Sequence, residues 1–278
     1  MTVLRAPAGV FIAGVGEPAT MSFMPLSVFD EAASHYDAAR PSYPAALFDE
    51  LEARTGSLAG QLVLDWGAGT GIASRQLAER GGTVVLLDIG EQMLRRALAR
   101  RPRSACVLAD GNHMPVRPAS VDITTFAQSW HWFDQELATA EAARVLRPGG
   151  FWAAWWNRAH ADGEAWFDDY QHLVSSSCPG YNWQHLSDDQ MTPDWTSDLV
   201  RASGPVAPAS VTMVPWVRHV TAEHWITDER SKSYFIELEP ARRESVLAQV
   251  AALLNRQFPD GQLVVPYITT LLLARKDG

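Results

Sequence analysis

The chain has 278 residues, 47% of them hydrophobic, enough for one enlarged α/β domain with a sizeable core. A formal charge of −9 and the lack of any basic stripe exclude nucleic acid as the expected partner, because phosphate binding needs a positive surface. Two cysteines, Cys106 and Cys178, form neither a metal spacing nor a disulfide framework, and no apolar run approaches the roughly 20 residues of a membrane span. A cytoplasmic protein without metal or membrane partner is expected.

Residues 1–24 carry Ala, Gly, Val and Pro without a period and a single basic residue, Arg5. They read as a flexible extension rather than a secretory signal. The first strong element is Leu62-Val63-Leu64-Asp65, a short apolar run suited to a strand covered on both faces. It opens onto Trp66-Gly67-Ala68-Gly69-Thr70-Gly71, where glycines allow close backbone approach to a ligand. The helix predicted from Ile72 to Glu79 turns its free N–H groups to the same place. The dinucleotide fingerprint needs glycines at relative positions 1, 3 and 6, and counting from Gly67 the sixth is Ile72, so it fails. Asp65 would also repel a pyrophosphate. It suits a ligand bearing an ammonium and a sulfonium, as S-adenosylmethionine does.

The next strand, Thr83–Asp88, ends in a second acid 23 residues after Asp65, as one βαβ unit requires when a carboxylate grips ribose hydroxyls. A helix then starts near Ile89-Gly90, and Ile89 or Met93 can lie against the adenine. The third strand, Ser104–Ala109, leads to Asp110-Gly111-Asn112, whose acid can accept from the adenine amino group. The fourth, Val121–Gln128, is followed by Ser129-Trp130-His131-Trp132-Phe133. A helix from Gln135 to Leu146 precedes Arg147-Pro148-Gly149-Gly150 and the apolar strand Phe151–Trp156. An Asp after a strand is commonly a helix N-cap, but three in register after a glycine turn exceed what capping accounts for. Residues 158–207, rich in Asp, Ser, Trp and His, read as a helical lid insertion. A sixth strand over Val211–Val217 carries Pro215, which suggests a bulge or an edge. Helices over Ala222–Leu238 and Ala241–Phe258 and a last, antiparallel strand over Leu263–Ala274 complete the pattern.

Asp65-Trp-Gly-Ala-Gly-Thr-Gly71, Asp88, Ala109-Asp110-Gly111, Val121-Asp122-Ile123 and Arg144-Val-Leu-Arg-Pro-Gly-Gly150 together resemble the class I S-adenosylmethionine-dependent methyltransferases, in particular the small-molecule branch called the methyltransferase type 11 group. Phe29–Pro44 is similar to that family's N-terminal helix. The resemblance covers about residues 28 to 157 closely. It implies a Rossmann-like, seven-stranded, mostly parallel sheet with helices on both faces and a helical lid. The organisation it implies is a core over 25–157, a lid over 158–207, and residues 208–278 completing the same domain. The implied cofactor-binding residues are Asp65, Gly67, Ala68, Gly69, Thr70, Gly71, Asp88, Ile89, Met93, Asp110, Gly111 and Gln128. The methionine moiety then lies by Asp65 and the glycine turn, the ribose at Asp88, and the adenine by Asp110 and Gly111. S-adenosylhomocysteine would be the product.

Methyl transfer is an in-line displacement, and holding the three reacting centres collinear can supply about 7–11 kcal/mol of the barrier. An acceptor that is already anionic needs no base, whereas a phenol, amine or activated carbon does. His131 is the candidate base, or else a histidine packed between Trp130 and Trp132 to orient a loop. Tyr36 can close the pocket or hydrogen-bond the acceptor, or simply pack. Eleven tryptophans, most of them after the glycine turn, suggest an apolar or aromatic small-molecule acceptor, although alternate residues of Phe151–Trp156 must face opposite sides of the sheet. A small polycarboxylic acid is the alternative acceptor, weakened by the presence of only Arg158 and Arg201 as cations in 158–207. A module that binds the cofactor without turnover is the third possibility.

Overall fold

The computed structural model describes residues 2–5, 40–101, 104–111, 114–181 and 210–277. The predicted N-terminal helix, with His35 and Tyr36, lies outside them, as do residues 182–209 of the predicted lid.

In chain order the elements are β1 (Thr2–Arg5), α1 (Ala45–Thr55), β2 (Leu62–Trp66), α2 (Ile72–Glu79), β3 (Thr83–Asp88), α3 (Glu91–Arg100), β4 (Ala105–Leu108) and β5 (Val121–Ala127). They continue with a 3₁₀ turn (Trp130–Trp132), α4 (Gln135–Val145), β6 (Leu146–Ala159), α5 (Ala165–Ser177), β7 (Ser210–Thr221), α6 (Ala222–Arg230), α7 (Ser233–Ile236), α8 (Pro240–Gln257) and β8 (Gln262–Arg275). One sheet runs in the order β1-β4-β3-β2-β5-β6-β8-β7. Strands β4, β3, β2, β5 and β6 are parallel, and β8 and β7 are antiparallel to their neighbours. These seven strands match the sequence expectation. The eighth, β1, does not: Thr2–Arg5 pairs antiparallel with β4 inside the segment read as a flexible extension.

Strand alternation builds two cores. Leu64, Trp66, Phe126, Trp152 and Ala154 face α4 on one side. Val63, Leu86, Ile123, Ala153 and Trp155 face α1, α2 and α3 on the other. Both faces are therefore covered, which is why β2 and β3 read as continuous apolar runs. β2 pairs with β3 on one side and β5 on the other, so the strand order reverses between β2 and β5. In open α/β sheets ligands bind outside the carboxyl ends of the strands at such a reversal.

Past the carboxyl end of β6 the β7–β8 pair continues alone. β6 pairing stops at Ala159 opposite Tyr267, and β8 reaches back to Gln262 opposite Thr221, a ribbon about 17 Å longer at strand rise. Helices α5, α6 and α8 pack on this ribbon around a third core that includes Trp166, Tyr170, Trp225, Phe235, Leu254 and Val265. Thus the described part of the predicted lid, α5, is a wall of this C-terminal lobe. The single helix expected over Ala222–Leu238 is instead two, α6 and α7, separated at Ser231. Pro215 lies on β7, the outermost strand, with unbroken register, so the edge reading holds and the bulge does not.

Candidate active site

At the carboxyl end of β2, Asp65 is fully buried. Its carboxylate accepts from the Ser74 hydroxyl on α2 and from the Thr125 hydroxyl on β5, the latter at 2.8 Å. Burial pushes its pKa up to about 6, the two hydroxyl donors oppose that rise, and the nearby Asp88 charge adds to it. The sequence expectation places Asp65 against a ligand ammonium, and in this structure the side chain is fully buried. A carboxylate with no exposed surface lies beneath the turn and ties β2, α2 and β5 together.

The turn above it divides its glycines between two needs. Gly67 has φ +62°, and a Cβ there would stand 2.7 Å from the Ser129 Cβ, so close packing excludes a side chain. Gly69 has φ +55°, yet among the described residues a Cβ would meet nothing within 4 Å. The left-handed backbone demands glycine at that position, and the space over it is open. The Gly69 N–H donates to Asp88 Oδ2 and the Gly90 N–H to Asp88 Oδ1, both at 2.7 Å.

The other expected cofactor residues fall around this pair. The Ala68 N–H donates to the Leu87 carbonyl at 3.0 Å, and Thr70 is buried. Ile89 is 47% exposed whereas Met93 is buried, so Ile89 is the one that offers an apolar surface. Asp110 is half-buried after β4. Gly111 is buried, and its open side is filled: a Cβ would lie 2.3 Å from Phe133 Cε1. Close packing against Phe133 therefore requires glycine at position 111. Phe133 in turn packs on Trp66 and Phe126 at ring separations of 6.1 and 5.7 Å.

The second wall is the segment after β5. Gln128 adopts φ +57°, uncommon for a residue with a side chain and a mark of a constrained site. Its N–H donates to the Trp155 carbonyl at 2.9 Å, and its amide donates to the Asn157 carbonyl at 3.3 Å. The Ser129 hydroxyl donates to the Trp66 carbonyl, which holds this segment against the glycine turn. His131 Nδ1 accepts from the Trp156 indole N–H at 3.1 Å. Crowding of the ring and then the nearby Arg40 charge hold the His131 pKa below its ordinary value, although the residue keeps an exposed edge.

The C-terminal lobe approaches from the third side. The Arg40 guanidinium donates to the Ser231 carbonyl at 3.2 Å and lies 3.8 Å from Asp228. Asp228 accepts from Arg218 at 2.7 Å, and Glu229, fully buried, accepts from Lys232 and from the Tyr234 hydroxyl. The Asn157 amide donates to the Ser42 carbonyl at 3.4 Å, joining β6 to the same entry segment. Trp66, Trp130, Trp152, Trp155 and Trp225 are fully buried core, so these five do not line an aromatic cavity, whereas Trp132 is exposed. Sequence reasoning missed Ser74, Thr125, Ser129, Phe133 and Asn157. For Ser129 and Phe133 the available signal was their position directly after β5.

Comparison with known proteins agrees with this geometry. A methyltransferase-domain family model matches residues 64–154. An uncharacterized methyltransferase of Mycobacterium tuberculosis is 30% identical over 249 residues, 88% of this chain and 94% of that one. The chain belongs to the class I S-adenosylmethionine-dependent methyltransferases. A solved structure described as a type II methyltransferase, from Anaeromyxobacter dehalogenans, superposes on the methyltransferase with a TM-score of 0.63 at 26% identity, covering 86% of this chain and 97% of that chain. A malonyl-[acyl-carrier protein] O-methyltransferase of Serratia marcescens is 37% identical over 125 residues, 45% of the methyltransferase and 49% of the relative.

The residues present fit S-adenosylmethionine. Open space over Gly69, the strand-end carboxylate of Asp88 and the exposed face of Ile89 adjoin, and the local charge suits a cationic ligand. Among the described residues no group of His, Cys, Asp and Glu could hold a metal ion, and no helix is long and apolar enough to cross a membrane.

Proposed function

We propose that this methyltransferase modifies a small metabolite held between the Trp130–Phe133 segment and the C-terminal lobe, with Asp88 and the Gly67–Gly71 turn holding the methyl donor. When bound, S-adenosylmethionine supplies an electrophilic methyl group on a sulfonium. Asp88 anchors the ribose hydroxyls, Ile89 offers an apolar surface to the base, and Gly69 admits the ligand against the backbone. Gln128 and Ser129 set the position of the segment that carries His131. The observation that carries the reading is the Gly69–Asp88 hydrogen bond at the strand-order reversal beside open space, since it presents a strand-end carboxylate where ligands bind in such sheets.

The aromatic-acceptor expectation rested on the number of tryptophans, and the five buried ones do not support it. The described groups on the acceptor side mix polar side chains, His131, Asn157 and Arg40, with the exposed Trp132 and half-buried Trp156. Calorimetric titration of the whole chain with S-adenosylmethionine and S-adenosylhomocysteine, followed by S-adenosylhomocysteine release on adding fractionated small metabolites, tests the reading. No binding of either ligand would refute it, and binding with release only on macromolecular fractions would refute the small acceptor.

A further inference from the structure

Three hydrogen bonds across the last strands run in one direction. The Trp216 indole N–H on β7 donates to Thr269 Oγ1 on β8 at 3.0 Å, and the Thr269 hydroxyl donates to Asn157 Oδ1 on β6 at 2.6 Å. An indole N–H can only donate, so Thr269 accepts from it and has one proton left to give. That proton decides which end of the Asn157 amide faces Thr269. The amide therefore turns its Nδ2 to the Ser42 carbonyl, 3.4 Å away. A flipped amide would set oxygen against that carbonyl and leave the proton of a fully buried hydroxyl without an acceptor. The chain of donors is held in place by packing and pairing. Trp216 lies against Tyr267 at a ring separation of 4.8 Å, and Thr269 stands directly opposite Asn157 in the sheet.

Asn157 is also where the walls of the site meet. Its carbonyl accepts from the Gln128 amide, at the left-handed residue that follows β5. Its side chain holds Ser42, and the residues beside Ser42 are tied elsewhere. Arg40 donates to the Ser231 carbonyl of the C-terminal lobe, and Tyr43 exchanges two hydrogen bonds with the Gln76 amide on α2. Residues 40–44 belong to no helix or strand, so such side-chain bonds must fix their course. We propose that Asn157, oriented by Trp216 and Thr269, is a positioning residue that sets the entry segment 40–43 against the segment after β5 and so shapes the acceptor side of the site. The role in methyl transfer rests on the methyltransferase reading above. Asn157 acts through Ser42 and Gln128, and Thr269 and Trp216 act through Asn157. In-line transfer is sensitive to such placement, since a displacement of about 1 Å can cost about 100-fold in rate.

The test has two arms. Thr269→Val keeps the shape of the side chain and removes its proton, Thr269→Ser keeps the proton, and Asn157→Ala removes the junction. Amide hydrogen exchange of the full chain, read by NMR, should show the Tyr43 N–H exchanging about 5- to 10-fold faster in Thr269→Val and Asn157→Ala, beyond any change at Leu64 and Ile123 in the central strands. Thr269→Ser should restore it. Tyr43 exchange unchanged in both variants, or accelerated equally with Leu64 and Ile123, overturns the proposal, because a merely structural hydroxyl would loosen the sheet as a whole. The second arm measures S-adenosylhomocysteine release from saturating S-adenosylmethionine with the active small-metabolite fraction. Thr269→Val should lower kcat/KM for that fraction at least about tenfold with the donor Kd within about twofold, and Thr269→Ser should recover most of the loss. Wild-type kcat/KM in Thr269→Val, or a donor Kd weakened by the same factor, overturns it. Failure of the wild type to release S-adenosylhomocysteine with any fraction refutes the parent reading instead, and the exchange arm still decides the hydrogen-bond relay.

Discussion

Replacing Asp65 with Asn examines the least exposed charge in the site. The Asp65 carboxyl titrates near 3.8 when free and at about 6 in the fold, with burial as the main cause. Between those values the folded chain keeps a proton that the unfolded chain has released, so stability falls as pH rises through this window. The contribution is fully present below 3.8 and lost above about 6. At about 1.4 kcal/mol per pKa unit, the difference is worth about 3 kcal/mol. Asn is neutral throughout, and the Ser74 and Thr125 hydroxyls can rotate to meet its oxygen or its amide. Urea denaturation followed by tryptophan fluorescence from pH 4 to 7.5 should therefore show Asp65→Asn gaining on the wild type by about 3 kcal/mol as pH rises. Carboxyls remote from Asp65 titrate equally in both proteins and cancel, and only Asp88, which feels the Asp65 charge, does not. Parallel stability curves would show that Asp65 does not titrate in this window, and would remove burial as the dominant influence on it.

Asp88→Ala should raise the Kd for S-adenosylmethionine by about 10- to 100-fold in calorimetry, from loss of charge-assisted bonds worth about 1.5–3 kcal/mol. Gly111→Ala should cost about 1–3 kcal/mol in denaturation, because its methyl enters the space of the Phe133 ring. Adding Phe133→Leu should recover part of that loss, and strict additivity would show that the two sites do not touch. Glu229→Gln should destabilise by about 3 kcal/mol, the low end for a broken buried pair, since Lys232 keeps 23% of its side chain exposed. An unchanged urea midpoint would mean that the Lys232–Glu229 pair contributes no net stability.

The donor half of the molecule was legible because short apolar runs stood between glycine and acid punctuation. Each parallel strand is covered on both faces, so Leu62–Asp65 and Thr83–Asp88 carry one unmistakable pattern. The roles of the terminal acids were not legible. Asp65 and Asp88 look alike in sequence, and their difference comes from Ser74 and Thr125, which only the fold brings to Asp65. His131 was found by its position after β5, but its protonation depends on Trp156, 25 residues further along and one strand over. The tryptophan count misled because alternation sends Trp152 and Trp155 into opposite cores. Helical spacing over Ala222–Leu238 likewise concealed the break at Ser231, whose N–H and hydroxyl both donate to the Asp228 carbonyl.

The ribbon formed by β7 and β8 has a consequence for how such enzymes diversify. The C-terminal lobe carries its own core and hangs from the sheet by strands, while the family-wide match ends at residue 154, before the lobe begins. Sequence drift in α5, α6 and α8 can therefore reshape the lobe without disturbing the glycine shelf. One scaffold can thus keep its reagent and exchange its customers.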